Sequence, residues 1–533
     1  MKKDKINLFI ISIVFLIFSI FLYGKCGNFL IDFSRESYIP FQINNNEILV
    51  KDILLIYGAF GYIFNAFLYK IFFNINMLLV EALIISYFIS IIFYYILKKF
   101  TNEKTALIFS FLFVSVNVFS NSTFGFILPY SYSVLWGIFG IYLVLYSILY
   151  QKNKLLFFSL GLIFASRIEF FIVTFLISLY FIIKNKSFKF KDSLFFFIIP
   201  LIPLFYFIFN KVNLSDLIEN FLIIKKMVST VAIKNLYCAM GSYFSFGYFK
   251  LNFLNSLIFL ILNTILYFIF KKQKILFFIL LIIAYFFLKP IIALNLGFIF
   301  SSILTLFLIK KLNKNEILLF LFCFIFSSKS VFTLNPYDYS NFGWSLNIFY
   351  IYFLLKNHFN LDKNFLNYIL IALLININII NLIHNINDKK LPLKTNIGNI
   401  YLKEKDYFIA KEVTDFIKNN ITENQDFIVL PEGQIFNLIY QKPWKFKNST
   451  FTPLDFETFE DKNLIQKLDE NKTNFLIFYP RNTSDYGFST ICYDYGIDFC
   501  EYVANNYSRV KIIDKGYKTL IFKLRKKWKK KKQ

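Results

Sequence analysis

Long apolar runs alternate with short polar, mostly basic breaks along the greater part of the chain. Seven runs, at about 6–23, 77–97, 105–120, 132–150, 193–210, 253–270 and 365–383, have the length one bilayer crossing needs as an α-helix, roughly 20 residues. Three longer runs, 155–183, 275–309 and 316–355, exceed a single crossing. Each carries a polar break: Ser166 to Glu169, Lys289 with Pro290, and SSKSVFTLNPYDYSNFGW. Both flanks of each are basic (QKNK and KNKSFKFKD, KKQK and KKLNKNE, KLNKNE and KNHFNLDK), so the positive-inside rule predicts hairpins with their ends in the cytoplasm and their breaks at the outer side. That predicts about 13 crossings, an amino terminus inside and a carboxy-terminal segment outside. Segments 24–76, 121–131, 211–252 and 384–533 then lie outside, and 121–131 holds no Lys or Arg, as that assignment requires.

Beyond residue 383 the pattern changes. Residues 384–399 read as a linker, and 400–533 as a soluble α/β domain of roughly 130 residues. In it EKDYFIAKEVTDFIKNN predicts an amphipathic helix and DFIVL a short buried strand. The order repeats in ETFEDKNLIQKLDENK followed by NFLIFYP. The predicted fold class is a polytopic α-helical membrane protein, residues 1–383, with a carboxy-terminal extracytoplasmic α/β domain. The expected site is the bacterial cytoplasmic membrane, with several passes.

Composition agrees with lipid as part of the solvent: 57% of the residues are hydrophobic and 17% charged. MKKDK before a long apolar run, with no small-residue cleavage site after it, predicts an uncleaved first helix, and Lys25 before Cys26 spoils a lipoprotein cleavage box. The net charge of +25 sits in short runs between apolar stretches rather than on one surface, so nucleic acid is not an expected partner. The tail RKKWKKKKQ is either a solvated end or a contact for anionic headgroups.

Polar chemistry near the membrane collects in the outer segments. In DFSRESYIP, Asp32 and Glu36 are four apart, so on a helix ending near Pro40 they share a face with Arg35 beside them. Close like charges raise the pKa of one carboxylate, which is what a general base near neutral pH needs. The same residues also suit solvated loop charges with a local ion pair. Arg167 and Glu169 in GLIFASRIEFF interrupt an apolar hairpin, where ionisable groups are functional candidates, although a turn at the outer interface also accommodates them. Lys289, Lys329, Tyr337, Asp338 and Tyr339 fall in the other outer breaks. With His358 and His384 the only histidines, no His-based metal site is in view. A divalent cation finds no support, and neither a phosphate-binding loop nor a dinucleotide fingerprint is present. Cys492 and Cys500 are either a short disulfide loop in an oxidising compartment or two thiols.

DFSRESYIP followed by EILVKDILLIYGAFGYIFNAFLYKIF resembles the first external loop of bacterial membrane glycosyltransferases of the GT-C class, relatives of the protein O-mannosyltransferases. Asp32, Arg35, Glu36 and Asp52 match that loop, and Ala59 stands where its Tyr-Gly-Pro turn often has Pro. FASRIEFF resembles the class's later Lys-x-Glu motif through Arg167 and Glu169, and VLPEGQIFNLIYQKPWKF is similar to external domains of such proteins. The likeness runs through the whole architecture and is specific over about 30–70, 160–172 and 427–445. It implies inverting transfer of a sugar from a polyprenyl-phosphate donor to an acceptor outside the cytoplasm. Asp32, with Glu36 as second candidate, would be the catalytic base. Arg35, Lys51, Asp52, Arg167, Glu169 and Lys289 would hold the donor phosphate or substrate. A flippase or transporter would place its ionisable groups midway along helices, and a surface-polysaccharide polymerase would show an Arg-rich loop between late spans. A noncatalytic sensor or scaffold is the remaining alternative.

Overall fold

A computed structural model of the protein describes residues 2–119, 125–127, 129, 131–184, 189–239, 246–288, 297–327, 342–359, 361–387, 390–515 and 518–525. Lys289 with Pro290, Lys329, Tyr337, Asp338, Tyr339, the side chain of His384 and all of the basic tail but Arg525 lie outside the described residues.

An apolar run in lipid must satisfy its backbone within itself, and helices stand along every predicted run. Lys2–Leu22 is α1, and Asn76–Lys98 and Glu103–Phe113 lie at the next two; the latter passes into a π turn at Val114–Val118. Tyr132–Leu149 follows, then Asn153–Ser166 and Ile168–Lys184 on either side of Arg167. The run at 193–210 holds helical pieces ending in Leu201–Phe209, bent by 47° at its break. Later helices are Phe246–Lys272, Lys274–Leu288, Gly297–Leu308, Lys314–Ser327, Trp344–His358 and Lys363–Asn387. Among the described residues four helices are long and apolar enough to cross a membrane, or five if the bent pair is one span. The count of crossings read from the sequence is therefore larger than length and composition alone establish.

The segments assigned to the two sides gather at opposite ends of the bundle. At one end Lys98 pairs with Asp4 and lies 3.6 Å from Glu103, while Lys99 sits over the Tyr150 ring at 4.6 Å. At the other, Tyr23 donates to Asn76 (2.9 Å), and the segments after the first helix, after Phe209 and after residue 390 pack together.

Two short helices lie in the segment between the first two spans, α2 (Asp32–Asn44) and α3 (Ala59–Ile71). α2 was expected to end near Pro40, yet runs through it. Proline removes one i→i−4 hydrogen bond, but Tyr38, Ile39 and Phe41 around it are buried, and each such side chain gains about 1.5–3 kcal/mol from burial. Packing decides against local propensity here.

Where a linker was expected at 384–399, the helix Lys363–Asn387 runs on to Asn387 and an antiparallel hairpin begins at Lys390, β1 (Lys390–Thr395) with β2 (Gly398–Lys403), which ties to the first loop through Lys390 to the Gly27 carbonyl (2.6 Å). Beyond it the predicted helix is present at Glu404–Asn420, burying Ile409, Ala410, Val413, Phe416 and Ile417 at helical spacing. A four-stranded mixed sheet has the order β3 (Phe427–Leu430), β4 (Phe475–Phe478), β6 (Lys518–Leu524), β5 (Tyr507–Asp514), with β3 and β4 parallel. Those two are buried throughout, which is why they read as unbroken apolar runs. The helix expected in ETFEDKNLIQKLDENK is two, Pro453–Phe459 and Asp461–Asn471, separated by Glu460 at φ +68°.

Candidate active site

α2 starts at Asp32, so its carboxylate stands at the helix end that favours negative charge. One turn on come Arg35 and Glu36. The Arg35 guanidinium is 3.7 Å from Asp32 Oδ1 and 3.4 Å from Glu36 Oε1. The two carboxylates are not equivalent. Glu36 is fully buried; Oε1 accepts from the Tyr62 hydroxyl at 2.9 Å and Oε2 from the Tyr132 backbone N–H at 3.0 Å. It joins α2 to α3 and to the span at 132–149. Asp32 keeps 31% of its side chain exposed.

Protein surrounds that partly open carboxyl and strips it of bulk water, pushing its pKa up to about 6; Arg35 opposes the rise, Glu432 adds to it, Arg481 opposes it and Glu36 adds to it. The sequence pointed to like-charge repulsion as the tuning device, whereas burial is the larger cause. Burial also raises the Glu36 pKa, against the pull of Arg35 and the two donors.

Arg167 is the one residue between Asn153–Ser166 and Ile168–Lys184, in extended conformation and 3% exposed. Glu169 stands 3.2 Å from its Nε. The Tyr57 ring lies 4.3 Å from the Arg167 guanidinium and 6.0 Å from that of Arg35, so two cations from separate segments share one aromatic face region. Gly58 makes this approach possible. Its N–H donates to the Ser166 carbonyl at 3.0 Å, and a Cβ there would stand 2.3 Å from that oxygen.

The structure thus brings together Asp32, Arg35, Glu36, Arg167 and Glu169. Lys51 and Asp52 are engaged elsewhere. Lys51 donates to the carbonyls of Lys211 (2.7 Å) and Asn210 (3.3 Å), closing the end of Leu201–Phe209, and Asp52 accepts from the Ile48 N–H within its own turn (2.8 Å). Neither bonding pattern points at the Asp32 cluster.

The carboxy-terminal domain covers α2. Ser34 Oγ accepts from the Ile435 N–H (2.6 Å), Tyr38 donates to the Lys442 carbonyl (2.6 Å), and Leu54 N–H donates to the Lys447 carbonyl (3.0 Å). Buried Glu432 is held by Arg481 at 2.6 Å, which also reaches Asp485 at 3.0 Å. Tyr57, Tyr62, Glu432 and Arg481 were not singled out from the sequence. Three of them stood in runs whose likeness was noted, Tyr57 and Tyr62 in YGAFGY and Glu432 in VLPEGQ, but Arg481 lies in no such run and only the tertiary fold brings its charge near Asp32. No group of His, Cys, Asp and Glu suited to a metal ion occurs among the described residues. No protein-family model matches the chain, and no curated protein matches it.

Proposed function

We propose that the chain is an inverting glycosyltransferase of the membrane, moving a sugar from a polyprenyl-phosphate donor to an acceptor hydroxyl on the outer face. The observation that carries this is the meeting, at one end of the helical bundle, of a partly open carboxylate with a pKa of about 6 and two arginines that approach the Tyr57 ring. The acceptor oxygen attacks the anomeric carbon from the face opposite the phosphate as Asp32 takes its proton. The bond from that carbon to the phosphate oxygen breaks, and its electron pair leaves with the lipid phosphate. Guanidinium suits that developing charge because it offers planar, bidentate donors. Glu36, locked by Tyr62 and Tyr132, acts as the anchor that fixes Arg35 and the helix end.

One helix at each of the seven shorter runs and two in each of the three long ones give about 13 crossings, with the α/β domain outside. The sorting of the loops to two ends of the bundle supports that topology. Membranes from a deletion strain, compared with wild type for glycans on lipid, protein and polysaccharide, test the function. We expect one glycan class to be lost, restored by the wild-type chain and not by Asp32→Asn at equal protein level. An unchanged glycan profile, or full rescue by Asp32→Asn and by Glu36→Gln alike, overturns it.

A further inference from the structure

Helix α4 (Leu214–Val228), which starts five residues after the bent span ends at Phe209, has two faces with different fates. Its polar face is fixed. Asn220 accepts from the Leu55 N–H and donates to the Leu55 carbonyl, both at 3.0 Å. Asp216 lies 3.8 Å from Lys51, Glu219 2.7 Å from Lys447 and Lys226 2.6 Å from Glu460. A capping box at Asn213 and Asp216 closes its amino-terminal end.

The other face is bare. Leu214 (72% exposed), Leu217, Ile218, Phe221 (64%) and Leu222 recur at i, i+3, i+4, i+7 and i+8, a stripe that nothing in the protein covers among the described residues, and exposed Val228 follows on the same face beyond Lys225. Ile208 and Phe209, at the end of the preceding span, are exposed too (59% and 80%) and continue the stripe into the lipid-facing surface. Exposed lysines stand toward its ends: Lys211 before the helix, Lys225 in line with the stripe in its last turn, and Lys234 beyond it. A large apolar face on a short helix with basic residues at its ends is the composition of a helix lying in the headgroup boundary, where long lysines reach up to phosphates.

We infer that α4 lies in the plane of the outer leaflet, its Leu214–Phe221 face in the acyl boundary, and that it sets the depth of the candidate site through its two hydrogen bonds to Leu55, two residues before Tyr57. A lipid surface is the occupant because the stripe is continuous with a span and its polar face is already taken by protein. This holds whatever reaction the site performs.

Single cysteines carrying an environment-sensitive fluorophore test it, at Leu217, Phe221 and, as a water-facing control, Lys462. Cys238 is replaced by Ser beforehand; Cys26 and Cys323 are buried. The full chain is placed in nanodiscs of phosphatidylcholine and phosphatidylglycerol, with or without lipid spin-labelled near its headgroup. We expect blue-shifted emission at Leu217 and Phe221, quenched several-fold by the spin-labelled lipid, and neither change at Lys462. Emission at Leu217 and Phe221 as water-like as at Lys462 overturns the inference. Blue-shifted emission that spin-labelled lipid does not quench also overturns it, assigning the face to a second copy or another protein.

Discussion

Asp32 and Glu36 are one helical turn apart, yet their surroundings give them different work. Glu36 has both oxygens occupied by donors from other elements, while Asp32 is open on one side. If Asp32 is the base of the proposed transfer it must be deprotonated, so transfer should rise with pH through an acid limb near 6 and then level. Asp32→Asn should lower the plateau by about 10²–10⁴ and abolish the limb; a wild-type profile from that variant removes Asp32 from the chemistry. Stability should move the other way. The folded pKa lies above the ordinary 3.8, so the stabilisation from protonated Asp32 is complete below that value and is lost as pH rises through about 6. At pH 7 Asp32→Asn should therefore melt at or above the wild-type temperature, by no more than about 3 kcal/mol, and the difference should vanish in acid. Arg167→Ala should reduce turnover by about 10²–10³, with Arg167→Lys between it and wild type, since an ammonium supplies charge without the planar fork. Normal transfer by Arg167→Ala at equal expression would remove Arg167 from the donor site. The candidates Asp32, Arg35 and Arg167 were legible because charge is conspicuous beside apolar sequence. Tyr57 was not, since one tyrosine among 35 carries no mark until its neighbours are known.

Among the elements, helices of spanning length were legible for the same reason, as a run of apolar residues in lipid has few other forms. The hairpin at 390–403 was missed because Leu391, Leu393, Ile400 and Leu402 alternate over stretches too short to stand out from a polar linker. Pro40 misled because proline is weighed locally and its burial is not. The turn at Gly58 belongs to this scale as well. Gly58→Ala puts a methyl against the Ser166 carbonyl, a backbone atom that has little room to move. The variant should separate Tyr57 from Arg167 and lose most transfer. Overpacking of this kind typically costs about 1–3 kcal/mol, so folded protein should still be recoverable. Wild-type activity from Gly58→Ala would show that the close approach is dispensable.

For the whole molecule, the topology has a direct test in Cys492 and Cys500, which form a disulfide with Cα atoms 5.5 Å apart. The sequence left a bridge and two thiols equally open, because a spacing of eight residues says nothing of geometry. In intact cells both should resist an alkylating reagent until a reductant is added, and a membrane-impermeant reagent should then suffice. Labelling only after the membrane is broken would place the domain on the cytoplasmic side, and labelling without reductant would rule out the bridge. The packing of that domain on the rest of the protein lay beyond any pattern in the sequence, since the ion pairs that tie it to Leu214–Val228, Lys447 with Glu219 and Lys226 with Glu460, lie at the surface and are worth about 0–1 kcal/mol each. The buried bonds of Ser34 and Tyr38 carry more.

Those two bonds join residues 401 and 404 positions apart in the chain. A ribosome delivers Asp32 early and Arg481 only 449 residues later, so during synthesis the cluster remains unfinished after the apolar helices have already emerged. Closure must wait for the last strands. A nascent or prematurely terminated chain would carry every charged residue of the first loop and still leave Ser34 and Tyr38 without their partners.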